Sequence, residues 1–241
     1  MQHYGANLSY NALQVRYERR MAKGVSATAA YAFSHTIDDT GETTNNGGCL
    51  CQLPTRVNER ANSVYDQRQN LVVSFVWELP LAKSGKGAAS LLVGGWAVEG
   101  IVAVASGSPF DVLQSFDGQN NDGLWERPNL VPGRQLSVAN QDPANWFNTG
   151  AFAGSIYQYG NSPRNPLVGA TTKNLNLSLR KNFKMPYSEA QSLEFRVEAF
   201  NAFNTPQFSN PDSSLGDGSF GRVTSTKNDN RLLQLALKYY F

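Results

Sequence analysis

Apolar and polar residues alternate one by one along seven stretches of this chain, and that period constrains its fold more than any other feature. A β-strand sends successive side chains to opposite faces, so alternation makes one greasy face and one wet face. In 231–241, Leu233, Leu235, Leu237, Tyr239 and Phe241 share a face, with Gln234, Ala236, Lys238 and Tyr240 on the other. In 11–19, Leu13, Val15 and Tyr17 oppose Gln14, Arg16 and Glu18. In 24–37, Val25, Ala27, Ala29, Tyr31 and Phe33 oppose Ser26, Thr28 and Ser34. In 68–79, Leu71, Val73, Phe75, Trp77 and Leu79 oppose Asn70, Ser74 and Glu78. In 171–183, Leu175, Leu177 and Leu179 oppose Asn176, Ser178 and Arg180. In 191–203, Leu193, Phe195, Val197 and Ala199 oppose Glu194, Arg196 and Glu198. The stretch 95–107 is less regular: Trp96, Val98, Val102 and Val104 oppose Ala97, Glu99, Ala103 and Ala105, with Ile101 breaking the pattern.

Each stretch is close to the ~9–11 residues a tilted strand needs to cross a bilayer. A β-sandwich alternates too, so the connections decide. Short links at 21–24, 80–90 and 184–190 alternate with long polar ones at 38–67, 108–170 and 204–230. Short turns on one side and long loops on the other is the outer-membrane barrel pattern, and long structureless loops are uncommon in compact soluble domains. If the last strand ends at the periplasm, Tyr17, Phe75, Trp77, Trp96, Phe183, Tyr239 and Phe241 fall at periplasmic ends. Tyr31, Phe33, Phe200 and Phe203 then fall at outer ends. Two aromatic belts result, as expected of strands in lipid. The expected fold is all-β: an antiparallel up-and-down transmembrane β-barrel segment of about seven to eight strands with long extracellular loops.

Mean hydropathy is −0.40, which does not speak against a barrel whose apolarity lies in alternation. No apolar run of about 18 residues exists, and the stretch Leu91 to Ala105 is short and holds Glu99. The start, Met1-Gln-His-Tyr-Gly5, lacks the basic and apolar regions of a signal peptide. An odd strand number cannot close a bacterial single-chain barrel. Residues 1–241 are therefore expected to be the C-terminal part of a larger barrel, without plug domain or signal peptide. A complete eight-stranded barrel, acting as a pore or adhesin, and a soluble β-sandwich binding module are the alternatives.

Charge and motifs exclude several functions. The net charge of +2 leaves no basic surplus for nucleic acid. Cys49 and Cys51 are too close for an easy mutual disulfide and lack the second pair a zinc site needs. His3 and His35 have no ligand set around them. No nucleophile elbow or phosphate-cradling glycine loop is present. The segment 117–123, Asp-Gly-Gln-Asn-Asn-Asp-Gly, departs from a calcium loop by a late glycine and by Pro128 at position twelve. No enzyme activity, metal or cofactor is expected.

Ordered motifs carry a resemblance. They are Tyr65-Asp-Gln-Arg68, Gly107-Ser-Pro-Phe110, Arg127-Pro-Asn-Leu-Val-Pro-Gly133 and Trp146-Phe-Asn-Thr-Gly-Ala-Phe152. Gly160-Asn-Ser-Pro-Arg-Asn-Pro-Leu-Val-Gly169, Lys173-Asn-Leu-Asn-Leu-Ser-Leu179 and Lys181-Asn-Phe183 follow. Phe195-Arg-Val-Glu-Ala-Phe-Asn-Ala-Phe-Asn204 and Thr205-Pro-Gln-Phe208 complete the set. In this order they resemble the C-terminal barrel region of Oar-like TonB-dependent receptors, over nearly the whole chain. The end of the chain, Leu237, Tyr239 and Phe241, looks like the signal read by the barrel-assembly machinery, although Ala236 and Gln234 depart from its usual form. The resemblance implies a location in the Gram-negative outer membrane and active ligand uptake through a barrel of about 22 strands holding a plug. The implied partners are outer-membrane lipid, the assembly machinery, the plug and further strands of the parent chain, and TonB through the plug.

Two sets of candidate site residues follow. Charged residues cost ~2–4 kcal/mol at the lipid midplane, so those on the wet faces should face the lumen. Arg16, Glu18, Arg68, Glu194, Arg196 and Glu198 form that set, and Arg196 stands between two glutamates. Ligand contact belongs in the long loops, where aromatics mix with amides and acids. Phe110, Asp117, Asp122, Trp125, Trp146, Tyr157 and Tyr159 are its candidates, and the same composition suits a folded cap over the barrel mouth.

Overall fold

The computed structural model describes residues 7–39, 59–81, 93–118, 120, 126–184 and 191–241. Cys49, Cys51, Asp122 and Trp125 lie outside these residues. Seven long strands appear: β1 (Leu8–Ala22), β2 (Val25–Asp38), β3 (Gln69–Glu78), β4 (Trp96–Ala105), β5 (Thr172–Lys184), β6 (Ser192–Phe200) and β7 (Leu232–Tyr240). They form one antiparallel meander in chain order, with a short strand, Ala61–Asn62, added beside the end of β2. The strands make one sheet, so the sandwich alternative fails. β1 and β7 are its edges, and the described sheet does not close.

Register sorts the side chains. Along one row, Ala27, Phe75, Gly100, Leu177, Ala199 and Leu233 follow one another from β2 to β7. The row on one side of it holds Thr28, Ser74, Ile101 and Asn176, and the row on the other holds Ser26, Val76, Glu99, Ser178 and Glu198. One face of the whole sheet is thus apolar and the other polar. The apolar face is unpacked: Leu235 on β7 is 71% exposed. Phe200 shares the polar face with Glu198, opposite Leu232, so it leaves the outer aromatic belt expected of it.

The β1–β2 turn shows why the sheet starts as it does. Ala22 pairs with Val25 across Lys23 (φ 54°) and Gly24 (φ 78°). Two positive φ values in a two-residue loop match the twist of a hairpin, and glycine supplies one without strain. Three short links lie at this end of the sheet and three long ones at the other.

The long connections 106–171 and 201–231 fold together into a cap with its own apolar core. Phe147, with no exposed surface, packs its ring against Phe110, Phe152 and Phe220 at centroid distances of 6.2, 5.7 and 5.2 Å. Trp146 meets Phe208 edge-on at 6.4 Å. Short ladders join Pro109–Phe110 to Leu167–Val168 and Asn129–Leu130 to Phe152–Ala153. A parallel pair, Leu113–Gln114 with Ser214–Leu215, ties the two connections to each other.

Candidate functional site

The polar face of β4, β5 and β6 carries a shared ion cluster. Arg180 Nε donates to Glu99 Oε1 at 2.7 Å. Arg196 lies 3.5 Å from Glu99, 3.2 Å from Glu194 and 3.5 Å from Glu198. These contacts follow from register, because Arg180 sits opposite Arg196, and Ser178 lies between Glu99 and Glu198. Each charge is about three-quarters or more buried, so its partners matter more than those of a surface pair. Beside the cluster a groove of about 390 Å³ runs across the sheet, lined by Ser26, Thr28, Ser74, Ile101, Asn176 and Ser178 among others. Small side chains on β2 and β3 leave that room.

Arg16 and Glu18 pair at 3.3 Å on the exposed edge strand β1. Arg68 departs from the wall reading. It precedes β3 at the cap end, where its Nε donates to Asp66 Oδ2 at 2.6 Å and its Nη2 to Asn62 Oδ1 at 3.2 Å. Asp66 in turn accepts the N–H of Thr36 at 2.7 Å. Arg68 therefore fastens a loop to the end of β2. Lys181 runs the other way, standing on the apolar face between Trp96 and Phe195. Its ammonium donates to the Gly94 carbonyl and lies 5.3 and 4.9 Å from the ring centres of Trp96 and Phe183. The long stem with a polar tip turned to a strand end is how lysine tolerates apolar surroundings.

The loop candidates divide. Phe110 and Trp146, 6% and 9% exposed, belong to the cap core rather than to its outer surface. An aromatic that fills a core and one that stacks on a ligand look alike in sequence. Tyr157, 92% exposed, and Tyr159, 51% exposed, do stand at the surface, as does Asp117. Tyr157 holds φ 59° while its N–H donates to the Gly118 carbonyl at 2.7 Å. Buried Glu126 braces this tip by accepting from Gln114 Nε2 and the Gly118 N–H, both at 2.8 Å. Leu237, Tyr239 and Phe241 lie along the edge strand, the last two rings stacked at 6.1 Å.

Sequence reasoning missed the junction between cap and sheet. Arg164 donates to the Glu59 carbonyl at 2.8 Å, to the Asp38 carbonyl at 2.8 Å and to the Asp38 carboxylate. Arg127 Nη2 donates to Glu59 Oε1 at 2.5 Å. Asp111 takes the Asn165 N–H at 3.2 Å, and Asn165 Nδ2 donates to the Asn62 carbonyl at 2.8 Å. Burial raises the Asp111 pKa to about 6, against the opposing pull of Arg127 and Arg164. The only signal for this cluster was that Arg127 and Arg164 sit inside the ordered motifs; which acids they meet depends on long-range folding.

The alternating strands, the single wet face and the alternation of short and long links agree with one comparison. A family model described as an outer membrane beta barrel domain matches residues 1–234. The chain belongs to that family. No curated protein and no solved structure matches it. In an outer membrane beta barrel the lipid meets the apolar face of the sheet and the lumen meets the polar one.

Proposed function

We propose that this chain forms part of the wall and the outer cap of a TonB-dependent transporter in the Gram-negative outer membrane. The observation that carries the proposal is the parity of the sheet. Among the described residues, seven long antiparallel strands leave β1 and β7 running the same way, so an antiparallel barrel needs an odd number of further strands between them. Unpaired strand edges in lipid would cost several kcal/mol per backbone group, which makes an open arc untenable there. A large barrel with a plug supplies the missing strands and leaves room for a ligand to pass. The ordered motifs that resemble Oar-like receptors support the same reading.

In this reading the ion cluster around Arg196, with Arg16 and Glu18, faces the lumen, where plug and ligand travel. The apolar face meets lipid, and β7 with Phe241 is the strand offered to the assembly machinery. TonB acts through the plug rather than on this sheet. The surface residues Asp117, Tyr157 and Tyr159 contact the ligand before entry, and the role is binding and passage rather than catalysis.

Refolding the chain alone, with and without detergent, tests the proposal. Unboiled and boiled gels beside a protease digest report closure. An incomplete arc gives aggregation without detergent and no protease-resistant band with it. A compact, heat-modifiable band that resists protease only in detergent would mean that the chain closes by itself, and the small-barrel reading would replace this one.

A further inference from the structure

Where the three long connections meet, a cavity of about 310 Å³ lies beneath the cap. Asp111, Ser108, Asn165, Asn210 and Ser213 give it one carboxylate and four neutral polar side chains, and Phe110 and Leu113 form an apolar side. Arg164 also lines it, but its guanidinium is held by Asp38 and by the Glu59 carbonyl. Arg127 is likewise held by Glu59. The carboxylate that lines the cavity is Asp111, which accepts the Asn165 N–H and feels the charges of Arg127 and Arg164. A volume at the small end of ligand pockets suits a small organic group.

We infer that this cavity binds a primary ammonium on a short apolar body, the ammonium against Asp111 and the apolar body against Phe110 and Leu113. Amides and hydroxyls complete the ammonium's three donors. An anion is disfavoured, because Asp111 lines the cavity while the guanidiniums of Arg127 and Arg164, which also pull on Asp111, already donate to Glu59 and Asp38. The raised pKa of Asp111, about 6, supports this: desolvation outweighs the pull of Arg127 and Arg164, so the carboxylate still gains from a further cation. A bound cation favours the ionised form, so binding and proton release are linked. The inference does not depend on transport.

Two sources share this chemistry, a free amine and a peptide N-terminus. Calorimetric titration of the chain in its native context, with every strand the barrel needs present and the protein purified in detergent, separates them with n-butylamine, alanyl-leucine amide and its N-acetylated form. Butylamine, the dipeptide amide or both bind, and the acetylated peptide does not. Up to about pH 7 both ammoniums stay charged, so affinity climbs about tenfold per pH unit below 6 and levels off between 6 and 7. Asp111→Asn weakens binding at least about tenfold at pH 7 and removes the pH dependence, in line with a lost charge-assisted bond. Ser213→Leu, which fills the cavity and keeps the carboxylate, also weakens it, while Trp146 fluorescence reports that the cap stays folded in both variants. Absence of binding by both amines at pH 7, equal binding of the acetylated peptide, or undiminished affinity in either variant would overturn the inference.

Discussion

Gly100 lies on the apolar face of β4 with no side chain to offer, and Phe75 of β3 leans across the gap. A Cβ built on Gly100 would stand 2.5 Å from the Phe75 ring and 3.1 Å from Leu177. An aromatic covering a strand glycine keeps the face continuous and pins register. This explains why 95–107 read as irregular. The apolar row passes through an empty position at 100, and Ile101, on the polar face, breaks the alternation. Sequence cannot show that a neighbour's ring fills a glycine's place, because the pairing joins residues 25 apart in the chain. Gly100→Val should cost about 1–3 kcal/mol by overpacking. Phe75→Ala in the same chain should remove part of that cost, giving a coupling of about 1 kcal/mol or more in denaturant unfolding, from detergent, of the chain in its native context with every strand of the barrel present. Additive effects of the two changes would show that the ring does not occupy that space.

At the scale of elements, the strands were legible and the cap was not. Alternation is local and survives in sequence, so all seven strands appear where it placed them, within a few residues. The cap is held by contacts between distant segments. Trp146 N–H reaches the Gly221 carbonyl at 2.9 Å, and Val223 N–H reaches Pro143 at 2.7 Å. Several of the ordered motifs are its joints. Gln207 takes the Lys173 N–H at 2.6 Å and returns a bond to the Lys173 carbonyl, fastening the last connection to β5. Asn201, at φ 49°, accepts the Thr205 N–H at 2.9 Å and shapes the exit from β6. Aromatics in 108–170 were open to two readings, and burial decides for the core in the case of Phe110 and Trp146. The cap should therefore unfold on its own when its centre is removed. Phe147→Ala should cost the cap about 3–5 kcal/mol, as for other large-to-small core changes. Hydrogen exchange is expected to quicken at Val112, Phe152 and Gly221 while the amides of β4 and β5 stay protected. Equal loss of protection in strands and cap would mean that they fold as one unit.

At the scale of the whole molecule, the question is which face of the sheet meets lipid, and two neighbouring residues of β5 can answer it. Leu177 lies in the apolar row between Gly100 and Ala199, and Ser178 lies in the polar one between Glu99 and Glu198. An arginine at either place has nearly the same depth in the membrane and the same strand propensity, so only the face differs. On the lipid side near mid-bilayer it costs about 2–4 kcal/mol. On the polar side two register-adjacent carboxylates receive it, and the groove alongside gives it room. Leu177→Arg should therefore cut the amount of protein inserted in outer membranes sharply, and Ser178→Arg should leave it close to that of the parent. The readout is heat-modifiable, protease-protected protein in isolated outer membranes, expressed in the chain's native context so that every strand the barrel needs is present. A reversed order would place the ion cluster against lipid, which its three carboxylates could not tolerate, and the orientation of the sheet would have to be abandoned. Equal tolerance of both would mean that neither face meets the hydrocarbon core at this depth, against the register that sets one continuous apolar surface across all seven strands.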